Sequence, residues 1–144
     1  MILTLNSYDL DKTNIVLGNK ETNLIGDYKF FYKLFYSTNY YVMNGICIKL
    51  NLVNYKQGVF YNYIKINYNL QNNINLINLL GEVEKNILSN VPSVIKNNLY
   101  NDLMCGVIKI QKKSIYPTRQ LVLRITGVWE TNDNCGITYK FAFV

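Results

Sequence analysis

Hydrophobic and polar residues alternate most clearly in the last quarter of the chain. The pattern runs from Leu121 to Glu130 and returns from Ile137 to Phe141, with a polar segment at residues 131–134 between the two arms. Two alternating arms joined by a polar turn predict a β-hairpin that buries one face. This hairpin is the clearest element that the hydrophobic pattern predicts.

The register of the hairpin follows from its own side chains. Arg124 and Lys140 share one face, and Ile125 and Tyr139 share the other, only if the loop has an odd number of residues, most simply 131–133. Three-residue loops usually place one residue in the left-handed region, which Asn and Asp tolerate better than most residues. The predicted hairpin therefore presents both cations on its outer surface.

The same alternation sets the expected position of Trp129, the single tryptophan of the chain. Trp129 shares the parity of Leu123 and Ile125, so we expect it on the buried face, where it closes one end of the core. A stacking platform for a ligand is the alternative interpretation. Because a buried Trp fills a large volume, the hairpin is predicted to be essential to the fold.

Segments further upstream predict more strands and turns. The dipeptide Asn44-Gly45 within residues 40–52 is the strongest short hairpin signal, because both residue types tolerate positive φ. A turn at 56–58 is then predicted before residues 59–68, which alternate again. The predicted sides are Phe60, Ile64 and Ile66 on one, and Tyr61, Tyr63 and Lys65 on the other.

The hydrophobic period becomes helical after Asn73. The apolar positions at helical spacing are Ile74, Ile77, Leu80, Val83 and Ile87. Asn72 or Asn73 can cap this helix, and Glu82 and Glu84 are expected on its solvated side. Pro92 ends the helix and is predicted to open a second short one. The apolar stripe predicted for that second helix is Val94, Ile95, Leu99 and Leu103.

Together these elements predict an α+β fold in a single domain that spans residues 1–144. Three strands, at residues 106–111, 120–130 and 137–144, follow one or two helices. The sheet is predicted to be mainly antiparallel, or a partly closed OB-like barrel, because the oligonucleotide-binding barrel also inserts a helix before its last strands. The additional N-terminal strands equally allow a two-sheet sandwich.

Composition narrows the classes of function. The chain has 15 Lys and Arg against nine Asp and Glu, and a net charge of +6, which favours phosphate backbones or anionic surfaces as partners. Histidine is absent, which removes the commonest general base and the commonest metal ligand. Asp9 and Asp11 alone make a poor cation site and are expected in a turn or on the surface. An enzyme, a bound metal and a cofactor are therefore not expected.

The number and spacing of the cysteines indicate the redox state of the compartment. Cys47, Cys105 and Cys135 are odd in number and widely spaced, so they indicate neither a disulfide framework nor a zinc site. All three are predicted to be small core residues in a reducing compartment. The first six residues are too short for a signal sequence, and the chain has no unbroken apolar run of about 18 residues, so neither secretion nor a membrane span is expected.

The outward surface of the predicted sheets is the remaining candidate site. Its side chains combine cations with tyrosines, and the candidate nucleic-acid-binding residues are Lys49, Tyr61, Tyr63, Lys65, Lys109, Lys113, Arg124 and Lys140. Cations follow phosphates while aromatic faces stack unpaired bases, so this pattern predicts sequence-tolerant binding of single-stranded DNA or RNA. Two alternatives stay open. One is a solvated sheet face protected by lysine, and the other is a structural or interaction protein with a Tyr-rich contact surface.

Two windows of the sequence carry a family resemblance. One joins residues 35–38 (FYST) with 43–46 (MNGI), and the other joins residues 125–130 (ITGVWE) with 136–141 (GITYKF). They resemble small, uncharacterised proteins of the nucleocytoplasmic large DNA viruses (giant viruses), in the same order and over most of the chain. The resemblance implies a viral source, a role in replication, transcription or the virion, and a location in the host cytoplasm or nucleus or in the virion. It implies no catalytic residue, and as partners it allows other viral proteins or a second copy of the chain.

Overall fold

The computed structural model describes residues 4–22, 29–111 and 120–144, which form two β-sheets and two α-helices. The elements in chain order are β1 (Leu5–Asn6), β2 (Ile15–Thr22), β3 (Phe30–Ser37), β4 (Val42–Asn44), β5 (Ile46–Lys49), β6 (Tyr55–Val59), β7 (Tyr63–Tyr68), α1 (Ile74–Leu88), β8 (Val94–Ile95), α2 (Asn98–Leu103), β9 (Val107–Gln111), β10 (Leu121–Glu130) and β11 (Asn134–Phe143).

The main sheet is organised around β10. This strand pairs with β11 along one edge, and its other edge pairs first with β5 and then with β3, all in antiparallel orientation. Strands β2 and β4 extend the sheet beyond β3, while β1 and β8 add short parallel pairs to β5 and β11. The predicted α+β fold with mainly antiparallel strands is therefore confirmed.

A second sheet contains three antiparallel strands in the order β6-β7-β9. It is separate from the main sheet, and the strands in the described ranges do not close into a barrel. The helices α1 and α2 lie between β7 and β9 in the chain, so the prediction that helices precede the last three strands is also confirmed.

The core lies on one side of the main sheet, which we call its inner face. Leu123, Ile125 and Ile137 point from β10 and β11 into this core, where they join Leu80 and Ile87 of α1. The opposite side of the main sheet, which we call its outer face, carries side chains that do not belong to this cluster. They include Cys47, Lys49, Val122, Arg124 and Lys140.

The β10–β11 hairpin has the predicted register through a different loop. Arg124 lies opposite Lys140 and Ile125 lies opposite Tyr139, as predicted. Glu130 lies opposite Cys135, so four residues, 131–134, separate the paired residues instead of the predicted three, and within them the Thr131 N–H donates to the Asn134 carbonyl across 2.8 Å. A β-bulge between Ile125 and Gly127 adds one residue to β10 and compensates for the longer loop.

The bulge overturns the predicted position of Trp129. Beyond it the alternation on β10 reverses, so Val128 points into the core and Trp129 lies on the outer face, opposite Gly136 of β11 and Phe31 of β3. Simple alternation cannot detect this reversal, since one extra residue moves every later side chain to the other face. Trp129 therefore does not close the core as predicted.

Two predicted turns are also wrong. Strands flank Asn44-Gly45 as expected, yet β4 pairs with β3 and β5 pairs with β10, so the dipeptide marks a change of partner and not a hairpin. Gly45 has φ of +78°, and a Cβ there would lie 2.8 Å from the Ile125 carbonyl oxygen. Residues 56–58, predicted as a turn, lie inside β6, and the chain turns at residues 60–62.

Helix α1 forms where the helical spacing of the apolar residues predicted it, but two details of that prediction are wrong. Asn73 immediately precedes α1, but its amide bonds the backbone of Val53 and Asn69 instead of capping the helix. Glu84, predicted to be solvated, is fully buried. The second helix does not start at Pro92. Val94 and Ile95 form β8, and α2 begins at Asn98, where Leu99 and Leu103 are buried as predicted.

In the described residues, neither helix is long and apolar enough to cross a membrane.

Candidate functional site

The outward side of the three-stranded sheet carries an unusual pair of charges. We call this side the three-stranded face, and its residues are Lys56, Gly58, Tyr63, Lys65, Asn67, Val107, Lys109 and Gln111, with Phe60 stacked on Tyr63. Lys65 on β7 lies directly opposite Lys109 on β9. Like charges directly opposite each other destabilise a sheet. Within the described ranges neither lysine has a carboxylate within ion-pair distance, so the face holds positive charge without a local counter-charge.

Aromatic rings stand beside these lysines. The rings of Phe60 and Tyr63 stack with centroids 4.7 Å apart and planes 11° from parallel, and the Lys109 Nζ lies 5.6 Å from the Tyr63 centroid. Phe60 stays 46% exposed, and Tyr61, at the tip of the turn, is 96% exposed. Since Phe60 already covers one side of Tyr63, Phe60 is the better placed of the two for stacking with a ligand.

The prediction that Phe60 faces inward with Ile64 and Ile66 is wrong. The Phe60 N–H donates to the Tyr63 carbonyl across 2.9 Å, which closes the turn and takes Phe60 out of the strand alternation. Its ring then lies over Gly58, where an added Cβ would be 3.2 Å from the ring. The glycine two residues earlier was the sequence signal that could have indicated this close approach.

A cleft of about 550 Å³ joins the three-stranded face to the end of the main sheet. It runs between β9 and β11, and its polar lining is Asp102, Cys105, Lys109, Gln111, Tyr139 and Lys140. The cleft therefore brings together Lys109 and Lys140, which are distant in sequence and belong to different sheets.

The one carboxylate in the lining is already engaged. The Tyr139 hydroxyl donates a hydrogen bond to the Asp102 carboxylate. Burial, and then this hydrogen bond, hold the pKa of Tyr139 well above its usual range. Tyr139 thus stays a neutral donor that fixes the position of Asp102 at the wall of the cleft.

Lys140 continues the positive charge onto the outer face of the main sheet. It lies opposite Arg124, which in turn lies opposite Cys47. Burial raises the pKa of the Cys47 thiol, and the neighbouring guanidinium opposes that increase. The Arg124 Nε is buried and lacks a hydrogen-bond partner among the described residues. Lys49, two residues along β5, is a diagonal neighbour of Arg124.

The candidate residues predicted from sequence fall on connected surfaces. Tyr63, Lys65 and Lys109 lie on the three-stranded face, Tyr61 lies at its tip, and Lys49, Arg124 and Lys140 lie on the outer face of the main sheet. Lys113 lies outside the described residues. The cleft, which sequence alone does not predict, is the link between the two groups.

The cysteines do not all behave alike. Cys47 and Cys135 are buried as predicted, but the prediction for Cys105 is wrong, because its thiol is exposed beside the cleft.

Across residues 4–22, 29–111 and 120–144, no three His, Cys, Asp or Glu side chains come close enough together to hold a metal ion. Asp11 accepts from the Thr13 N–H and hydroxyl, which is the turn role expected for it.

Two buried glutamates brace the structure around these surfaces. Glu84 accepts hydrogen bonds from the Leu99 and Tyr100 N–H groups, at 2.9 and 3.1 Å, and so caps α2. Burial raises the pKa of Glu84, and the two hydrogen bonds only partly offset it. Because α2 carries Asp102, Glu84 also positions one wall of the cleft.

The pKa of Glu130 is shifted in the opposite direction to the pKa of Glu84. Its carboxylate accepts from the Tyr32 hydroxyl at 2.9 Å and the Ser93 hydroxyl at 2.5 Å, and it pairs with the Lys20 ammonium at 3.1 Å. Burial acts to raise the pKa of Glu130, but together these partners lower it below its usual value. This cluster ties β10 to β2, to β3 and to the segment before β8.

Comparison of the chain with protein-family models, with curated protein sequences and with solved structures found no match. The functional argument therefore rests on the geometry of the three-stranded face, the cleft and the outer face.

Proposed function

We propose that this protein binds single-stranded nucleic acid, with little dependence on sequence, along the three-stranded face and through the cleft. The observation that carries the proposal is the directly opposed pair Lys65 and Lys109 beside the stacked rings of Phe60 and Tyr63. A bound phosphate would relieve the repulsion between the two lysines. An unpaired base would stack on the exposed side of Phe60.

The order of the cations supports a continuous path for the backbone. Lys65 neighbours Lys109 across the sheet, Lys109 and Lys140 line the same cleft, and Lys140 neighbours Arg124 on the main sheet. Each step joins residues that are paired across a sheet or that line the same cleft, so phosphates of one strand can meet them in turn. Contacts with phosphates and with ring faces do not discriminate among bases, which is why sequence tolerance is expected.

Salt dependence tests this proposal. If about four to six phosphates are neutralised, the log–log slope of affinity against salt should be about −3 to −4 for a single strand. The double variant Lys65→Gln/Lys109→Gln should weaken binding and reduce the slope by about 1.4, from roughly 0.7 per lost contact. Fluorescence anisotropy of a labelled oligonucleotide at several salt concentrations measures both quantities.

A matched control removes the same charge elsewhere. Lys85 lies on α1, and Lys12 pairs with Glu82 of α1 at 3.3 Å, on the core side of the main sheet. Lys12→Gln/Lys85→Gln should leave the slope unchanged. Equal losses in the two double variants would mean that only net charge matters, and absence of binding by the wild-type protein at low salt would refute the proposal.

A protein–protein contact at β6 is the second candidate function. In the described sheet β6 pairs only with β7, and Tyr55 and Val59 are exposed on it. Tyr55 also lines a groove of about 270 Å³. An exposed edge with apolar side chains is a template for another chain. If light scattering finds an oligomer that Val59→Lys dissociates, this candidate is favoured. A monomer that binds oligonucleotides favours the first. The viral setting implied by the family resemblance remains a prediction for either function.

A further inference from the structure

A carboxylate lies among the positive charges of the cleft. Asp102 is exposed, and it lines the cleft together with Lys109. The Tyr139 hydroxyl donates to the Oδ2 atom of Asp102. An ionised carboxylate can accept about four hydrogen bonds through its two oxygens. Among the described residues no donor reaches the Oδ1 atom, so Asp102 keeps the capacity to accept a hydrogen bond at the wall of the cleft.

The fold disfavours a negative charge at Asp102. This residue lies in the last turn of α2, the end of a helix at which a negative charge is unfavourable. Burial is the main cause of the raised pKa of Glu84, and the negative charge of Asp102 adds to it. The side-chain carbonyl of an asparagine would accept the same hydrogen bond from Tyr139 without the charge. A structural role therefore explains the hydrogen bond but not the ionised group.

The chemistry of the cleft indicates which ligand group would meet this carboxylate. Asp102 repels phosphates and attracts hydrogen-bond donors. In the proposed function bases stack on Phe60 at the β6–β7 turn, whereas the cleft receives the sugar–phosphate backbone at Lys109. The donor that RNA carries along its backbone is the ribose 2′-OH, which DNA lacks. This hydroxyl is adjacent to the 3′-phosphate, so a phosphate held at Lys109 brings a 2′-OH into the same cleft.

We propose that Asp102 accepts a hydrogen bond from a ribose 2′-OH in the cleft, and that the protein consequently prefers single-stranded RNA to single-stranded DNA. This inference rests on the proposed function, and it adds the class of nucleic acid. DNA brings the same phosphates to the cleft without the donor, so it meets the repulsion of Asp102 without the compensating hydrogen bond. Because the contact is made to the sugar, tolerance of base sequence is preserved.

Three oligonucleotides that share one base test the sugar contact on the wild-type protein. Labelled strands of about 20 nucleotides are made from uridine, 2′-deoxyuridine or 2′-fluorouridine, and their affinities are compared by anisotropy. One hydrogen bond of this kind predicts that the RNA binds about 3- to 10-fold more tightly than the DNA. The 2′-fluoro strand keeps an RNA-like sugar shape without the donor, so it should bind like the DNA.

A substitution assigns the preference to Asp102. Asp102→Ala should abolish the preference for RNA, and it should raise the affinity for DNA about twofold at low salt, because a repulsive charge is lost. Structural damage would instead weaken the binding of both strands. Asp133→Ala is the matched control, since Asp133 is exposed in the β10–β11 loop and does not line the cleft. This control variant should keep the preference for RNA.

The outcomes distinguish this inference from the proposed function. Equal affinity for RNA and DNA, or a preference that persists in Asp102→Ala, overturns the inference and leaves the proposed function intact. A 2′-fluoro strand that binds like RNA overturns it too, because sugar shape would then explain the preference. Absence of binding overturns both. If Asp102→Ala does not fold, the three strands still decide the sugar contact, because the wild-type protein requires no substitution.

Discussion

The two faces of the β10–β11 hairpin share one backbone but differ in the charge that they carry. The inner face is apolar at Leu123, Ile125 and Ile137, which are at most 2% exposed. The outer face of the same strands carries Arg124, which is half-buried, and Lys140, which is exposed. If the outer face binds nucleic acid as proposed, the pleat of the sheet separates the side chains that stabilise the fold from those that contact the ligand. Substitutions on one face should therefore spare the property that depends on the other.

The largest expected effect belongs to the inner face. Leu123→Ala removes a fully buried side chain from the centre of the core, so the free energy of unfolding should fall by about 2–5 kcal/mol. Urea denaturation followed by circular dichroism measures the change. Lys140→Gln, on the outer face of the partner strand, should stay within about 0.5 kcal/mol of the wild-type protein. Similar losses in both variants would break the comparison.

The second effect tests the packing of rings on the outer face. Gly136→Ala places a methyl group where the Trp129 ring lies, which should cost about 2 kcal/mol through overpacking. Trp129→Ala removes the obstacle, so the double variant should be more stable than the sum of the two single changes predicts. A double-mutant cycle in urea gives the coupling energy. Strict additivity would show that the two residues do not share this space.

The third prediction concerns the polar end of the inner face and its pH dependence. The folded-state pKa of Glu130 is lowered from 4.5, so its contribution to stability is present above about pH 4.5 and is lost as the pH falls through the lower folded-state value. Glu130→Gln should therefore cost about 1.5 kcal/mol at pH 7, through weaker hydrogen bonds.

The difference in the free energy of unfolding between the wild-type protein and Glu130→Gln should become steadily smaller below pH 4.5. Urea denaturation at a series of pH values from 7 to 3 measures this difference. Glu84 provides a contrast of opposite sign. Its raised pKa makes its contribution to stability greatest at low pH and smaller as the pH rises through the folded-state value. A difference in the free energy of unfolding that grows as the pH falls would contradict the roles assigned to the partners of Glu130.

The smallest effect comes from the three-stranded face. Lys109→Gln removes one of two opposed charges, so it should stabilise the free protein by about 0.2–0.5 kcal/mol at low salt. The gain should disappear at high salt, where such repulsion is screened. The same variant should bind oligonucleotides more weakly. A destabilised variant would mean that Lys109 serves the fold and not a ligand.

The sequence predicted those parts of the hairpin that depend on pairing between the strands. Arg124 opposite Lys140 could be predicted because apolar parity fixes which side chains must share a face. The reversal at Trp129 could not be predicted from alternation, since a bulge adds a residue without adding hydrophobic character. Gly127, inside a strand, was the available sign of a bulge or of a close approach.

The helical region and the cleft show a similar limit. Glu84 lies seven residues after Ile77 and four before Leu88, on the apolar stripe of α1, so its burial had a signal in the spacing. The cleft had no such signal, because Lys109 and Lys140 meet only through the packing of two sheets. Long-range juxtaposition of this kind leaves no periodic trace in the chain.

The extra residue in β10 also has a mechanical consequence for the main sheet. It lies where the edge of β10 changes partner, from β5 at Ile125 to β3 at Gly127. Deleting Thr126 would leave the facing of the flanking residues unchanged, yet it would draw the two half-sheets together by about 3.3 Å, the rise of one strand residue. Gly45 already lies close to the Ile125 carbonyl at this seam. Thr126 is therefore a spacer between two half-sheets, and its deletion should disrupt the seam while the substitution Thr126→Ser leaves the melting temperature nearly unchanged.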